Sequence, residues 1–146
     1  MIAGVRLTLG DDQMGHHLRR LVALDAGKYA SGLREIGEYM VGEVQDNLDH
    51  QKLFDGSAMP QSKAALKRSG KTLIKSHLLY DSYVHQVVGS GVQVGTNKAY
   101  AAIHHFGGMA GRGKKTRVLA RPVLGVAARQ ELQIGYLLTD MLKAVQ

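Results

Sequence analysis

Apolar residues recur along this chain with two different periods, and the switches between them mark out its elements. Ile2, Val5, Leu7 and Leu9 lie among the polar Arg6 and Thr8, a near-alternation that predicts a short strand. Gly10-Asp11-Asp12 offers a turn and an N-cap, and Gln13 to Leu24 then reads as a helix with Met14, Leu18, Leu21 and Val22 on one face. The longest helical pattern runs from about Lys28 to Leu48. Leu33, Ile36, Met40, Val44 and Leu48 recur every three or four residues as one stripe to be buried. The opposite face carries Arg34, Glu35, Glu38, Glu43, Asp46 and Asp49 and is strongly acidic. Gly32, Gly37 and Gly42 each weaken the helix by about 1 kcal/mol relative to Ala. Their five-residue spacing spreads them round the axis, so they form no single packing groove.

Asp55-Gly56 and Pro60 break the pattern over Leu53 to Gly70, and a basic helical turn follows from Ser62 to Arg68. Thr72 to Tyr83 has helical spacing, with Leu73, Ile74, Leu78 and Leu79 apolar. Val84 to Val88 and Val92 to Val94 are β-branched runs joined by Gly89-Ser90-Gly91, which signals a hairpin. Ala99 to Phe106 suits a short helix closed by Gly107-Gly108, and the segment at about 108–118 reads as a flexible basic loop. A last amphipathic helix runs from Ala127 to Val145. The expected fold is α+β: a single domain over 1–146, with a small antiparallel sheet on which a long helix of the N-terminal half and a C-terminal amphipathic helix pack.

Composition narrows the class. A chain of 146 residues fits one domain with its own core. No apolar run approaches the roughly 20 residues that span a bilayer, and the N-terminus carries no signal-sequence pattern, so no membrane partner is expected and assembly in the cytosol is the simplest reading. With no cysteine, disulfides and thiolate chemistry are excluded. The formal charge is +7, but it is unevenly laid out. Up to His50 there are 5 Lys/Arg against 8 Asp/Glu, and from Gln51 onward 14 against 4. Such a two-faced subunit suits copies that stack, or a basic face meeting an acidic partner, although a basic surface is also simply well solvated.

Motifs for catalysis fail on inspection. Ala65 to Thr72 mimics a phosphate-binding loop, yet its first glycine is Ala65 and no apolar strand precedes it. Gly89-x-Gly91-x-x-x-Gly95 has the wrong last spacing for a dinucleotide site and sits in a hairpin. His16-His17 and His104-His105 lack ligands at metal spacing and read as surface or contact histidines. No nucleophile elbow or matched acid–base pair is present, so neither a catalytic residue, a cofactor site nor a metal site is expected. Arg112, Lys114, Lys115 and Arg117 put four cations into seven residues. They suit a protein partner or DNA as well as a solvated loop, without the aromatics that stack on single strands.

One stretch carries a resemblance. Val94-Gly95-Thr96 leads into Tyr100-Ala101-Ala102-Ile103-His104-His105-Phe106-Gly107, and after the basic segment comes Leu119-Ala120-Arg121-Pro122-Val123-Leu124-Gly125. In order and separation this resembles the virion-morphogenesis (tail-completion) proteins of Mu-like and related tailed phages. Those show V-G-[ST], then Y-A-x-x-H-x-x-G, then P-x-R-P-[FV]-L-G before a closing helix. The likeness extends upstream to Leu53. There Ser76-His77 replaces a threonine-glycine pair and Met59-Pro60 lacks a preceding tryptophan, while downstream Leu119 stands for a proline.

The resemblance implies a non-enzymatic structural protein of the virion. It would form a homo-oligomeric ring, a hexamer by preference, at the head–tail junction as a neck, tail-terminator or tail-completion protein. Its neighbours would be a head-side adaptor or stopper and the tail tube protein, with passing contact to genomic DNA. Within that reading Tyr100, His104, Phe106, Gly107, Arg121 and Pro122 fix the fold or touch a neighbour. Tyr100, Ile103 and Phe106 would anchor the short helix to the sheet, and Arg121 could grip a carboxylate with both arms of its guanidinium. Glu35, Glu38, Glu43 and Asp46 would offer an acidic edge. A small basic nucleic-acid-binding protein is the alternative.

Overall fold

Three strands form an antiparallel sheet in the order β1-β3-β2: β1 (Ala3–Thr8), β2 (Val84–Val88) and β3 (Gly91–Thr96). The computed structural model describes residues 3–8 and 26–144. The helix expected at Gln13–Leu24, with His16-His17, lies outside them. Strand β3 is central, with Val94 opposite Val5 on one edge and His85 on the other. Pairing on both edges, with a helix across one face, leaves Val92 and Val94 at 1% and 0% exposure.

That helix is α1 (Ala26–Asp49), 24 residues long. The stripe Leu33, Ile36, Met40, Val44 and Leu48 is buried along its whole length, as its periodicity requires. Its first half packs with Val92 and Met141, its second half with Met59, Ile74, Leu79, Tyr83, Val94 and Leu124. Gly32 and Gly37 serve different neighbours. A methyl on Gly32 would collide with Met141, and one on Gly37 would lie 2.6 Å from the His85 ring, whereas Gly42 has open space around it. The expected basic turn is α2 (Lys63–Lys67), capped by the Ser62 hydroxyl, which accepts the Ala65 N–H at 3.1 Å. The motif helix is α3 (Ala101–Phe106) and the closing helix is α4 (Ala128–Ala144). The fold is α+β.

Two segments depart from the sequence expectation. Thr72–Tyr83 is not a helix, and its only helical turn is the 3₁₀ segment Tyr80–Ser82. Leu73 and His77 have φ of 65° and 62°, a left-handed geometry that ends any α-helix. Tertiary hydrogen bonds replace the helical ladder here. Gln51 accepts the Thr72 N–H (2.6 Å) and donates to the Thr72 carbonyl (3.1 Å), while Arg68 donates to the carbonyls of Lys71 and Ile74. Local spacing could not foresee a glutamine 21 residues upstream.

The second departure lies at 108–118. Strands β4 (Gly108–Ala110) and β5 (Thr116–Val118) pair as a two-stranded ribbon, with Met109 opposite Arg117, and a 3₁₀ turn at Arg112–Lys114 joins them. Glycines and alternating charge obscured it, because strands of three residues carry too little pattern to read.

Candidate interaction surface

The ribbon and the two chain segments that hold it are built from residues 94–125. Thr96, buried at the end of β3, bonds the Ser82 hydroxyl (2.6 Å) and accepts the Lys98 N–H (3.1 Å), which fixes where the chain leaves the sheet. Ala101 then seats α3 against the core at 2% exposure. Gly107 closes the helix with φ 73° and ψ −178°, a conformation open essentially to glycine alone. The returning chain passes so close that a Cβ on Gly107 would lie 2.8 Å from the Ala120 nitrogen. Across this crossing the Arg121 N–H donates to the His104 carbonyl at 2.7 Å.

Arg121-Pro122-Val123 is threaded into the body by polar groups from distant elements. The Arg121 Nε donates to the Pro60 carbonyl (2.6 Å), the Phe54 N–H donates to the Pro122 carbonyl (3.1 Å), and Asn47 Nδ2 donates to the Val123 carbonyl (2.9 Å). Gln130, fully buried, donates to the Phe54 carbonyl (2.7 Å) and accepts the Ala127 N–H (2.9 Å). Asn47, Gln51, Thr72, Thr96 and Gln130 thus order the site; the sequence marked Thr96 as the last position of the Val94-Gly95-Thr96 motif, and sequence reasoning gave the other four no role. A polar residue beside an apolar stripe, such as Asn47 three residues after Val44, was the one available signal.

Several roles expected of the motif residues change. Phe106 is 71% exposed and Tyr100 43%, so neither anchors α3; Ala101 does, with the half-buried Ile103 beside it. Phe106 lies edge-on to His105 with ring centroids 4.6 Å apart, and Tyr100 stands edge-on to His104 at 6.2 Å. Within the subunit Arg121 grips backbone carbonyls and not a carboxylate: it is buried, and among the described residues no acid pairs with it, which leaves only the expected grip across to a neighbour. Glu43 is likewise removed from the acidic edge. It lies where α1 meets α4, 8% exposed, with both its oxygens 2.9 Å from the Arg129 guanidinium and the Tyr39 hydroxyl donating to it at 2.7 Å. Burial and the Glu43 bond hold the Tyr39 hydroxyl protonated well above the usual tyrosine range, and the same carboxylate raises Arg129. Glu35, Glu38 and Asp46 do face solvent.

The result is a surface of unusual make-up. Phe106, Met109 and Leu119 are each at least 46% exposed at or near the base of the ribbon, Arg117 is exposed opposite Met109, and Arg112, Lys114 and Lys115 are exposed at the far end. Burial lowers the pKa of His104 and of His105, and the nearby Arg121 charge lowers His104 further, so both rings are neutral at pH 7. Among the described residues no group of three His, Asp or Glu could hold a metal ion, and no helix is long and apolar enough to cross a membrane. The arrangement is suited to contact with other macromolecules.

A family model described as the phage virion morphogenesis family matches residues 10–143. The chain belongs to that family. Mu-like prophage FluMu G protein 2 of Haemophilus influenzae is a relative, 35% identical over 117 residues, which is 80% of this chain and 80% of that protein. No solved structure matches. Membership of the phage virion morphogenesis family supports a structural role in virion assembly. The segment that prompted the resemblance carries the exposed Phe106, Met109 and Leu119 and the four exposed cations.

Proposed function

We propose that the protein is a non-enzymatic component of a phage virion that forms a homo-oligomeric ring at the head–tail junction, in a tail-completion or tail-terminator role. The observation that carries this reading is the exposure of Phe106, Met109 and Leu119 beside a cationic ribbon in a member of the phage virion morphogenesis family. Apolar side chains so exposed on a hydrogen-bonded base, with charge next to them, are what an assembly interface uses. A closed ring needs two different surfaces on each subunit. The ribbon supplies one, and the acidic outer face of α1, with Glu35, Glu38 and Asp46, supplies a candidate for the other.

Native mass spectrometry at low and high salt tests the ring directly. A discrete closed oligomer is expected; a monomer at all concentrations, with no assembly on tails or heads, refutes it. Reversing the charges of Arg112, Lys114, Lys115 and Arg117 is expected to leave the subunit folded while heads and tails fail to join. Normal particles from that variant would refute a role for the ribbon. The four exposed cations also favour a second reading, contact with DNA, whose mark is duplex binding that weakens steeply with salt.

A further inference from the structure

A recess of about 290 Å³ opens between the segment 62–79 and α3. It is lined by Arg68, Lys75, His77, Tyr100, His104 and Arg121, of which Arg121 is the most deeply buried, and no Asp or Glu lines it. Arg121 has two of its donors on the carbonyls of Pro60 and Leu119, and its remaining donors have no partner among the described residues. His104 Nδ1 is buried with no hydrogen-bond partner. The open donors of Arg121 face the recess, and a mostly buried guanidinium without a counter-ion makes that recess favourable for an anion.

We propose that this recess receives a carboxylate from a second copy of the chain, supplied by the Glu35–Glu38 pair of α1. The two residues are three apart on one helix, hence neighbours, and both are exposed. Neither has an ion pair among the described residues, so both are open to a cation from outside the subunit. Of the other acidic groups on α1, Glu43 is taken up by Arg129, Asp46 lies close enough to Arg129 to raise its pKa as well, and Asp49 accepts the Tyr80 hydroxyl at 2.9 Å. A glutamate side chain can enter a recess whose most deeply buried cation is Arg121. A duplex carries its phosphates on a convex backbone that does not enter a recess of this size. Recess and helix face belong to different elements, so the contact is head-to-tail, and the inference rests on the ring reading above.

Lys75 is exposed and its side chain makes no hydrogen bond among the described residues, so it can be reversed without touching the fold. Lys75→Glu alone and Glu35→Lys with Glu38→Lys are each expected to raise the concentration at which the protein assembles by about tenfold or more, and the three changes combined to restore most of it. Assembly is read by native mass spectrometry. In parallel, the Arg121 Nε–H and His104 ring signals are followed by NMR as the wild-type concentration rises.

A ring that assembles equally well with either reversal overturns the pocket proposal and leaves the ring standing. Weak pairing that moves both signals, yet never closes a ring, overturns the ring and keeps the pocket. Signals that stay fixed on self-association but move with inorganic phosphate or duplex DNA overturn the proposal in favour of a phosphate occupant. Signals that never move overturn it outright.

Discussion

Substituting alanine at Gly107 and at Gly42 makes the same chemical change in two settings and should give opposite results. At Gly107 the backbone has φ 73° and ψ −178°, so any side chain adds strain of about 1–3 kcal/mol. The added Cβ would also meet the Ala120 nitrogen at 2.8 Å and the Val118 carbonyl at 3.0 Å. Both are backbone atoms, and they belong to the chain that Arg121 pins to Pro60, so neither retreats cheaply. Overpacking of this kind adds about 1–3 kcal/mol. Together Gly107→Ala should cost about 2–6 kcal/mol, or on the order of 5–20 °C in melting temperature for a chain of this size. Gly42 sits in the interior of α1 with nothing near a new Cβ, so Gly42→Ala should stabilise by up to about 1 kcal/mol. Chemical denaturation of both variants, with unchanged slope as the check on two-state behaviour, measures each effect. Gly107→Ala with wild-type stability would refute the crossing geometry, and a destabilised Gly42→Ala would refute the placement of α1.

Three further outcomes are expected. A double-mutant cycle between Glu43→Gln and Arg129→Met should return a coupling of about 1 kcal/mol or less, because Arg129 is 62% exposed and solvent screens the pair; a coupling several times larger would mean the contact is drier than it stands here. His104 and His105 have folded-state pKa values below the ordinary 6.5, so the unfolded chain binds more protons once the pH drops under that value. Stability should therefore fall as pH falls through and below 6.5, and histidine NMR titration should place both rings below the free value. Tyr83 is buried without a charge partner and is pushed up to about 12, so stability should decline as pH rises from 10.0, where the unfolded chain ionises first. Ultraviolet titration should show Tyr83 among the last tyrosines to ionise, and a normal value would contradict its burial.

The fold was legible wherever one element's own pattern decided the matter. The α1 stripe, the β2–β3 hairpin, the α3 helix with its closing glycine, and α4 all follow from periodicity and turn chemistry confined to a few consecutive residues. The segment 72–83 was not legible, because Gln51 and Arg68 dictate its backbone from outside it. The same holds for the site. The four cations of the ribbon were evident as a cluster, but their mounting on paired strands was not. Phe106 looked like an anchor by residue type alone, and only its position shows that it faces outward.

By itself the sequence determined the α+β class, the segregation of acidic and basic halves, and the ordered motif that marks the phage virion morphogenesis family. Each of these is a property of local spacing or of residue order, which the chain carries whether folded or not. Tertiary structure alone decided that Glu43 turns inward to Arg129 while Glu35 and Glu38 remain outside. It also decided that Arg121 ends buried without an acid beside a recess lined by further cations. The reason is that pairing and burial depend on what distant segments bring to the same place. A glutamate on a helix has the same spacing on either flank of the stripe, and only the arrival of α4 separates the two.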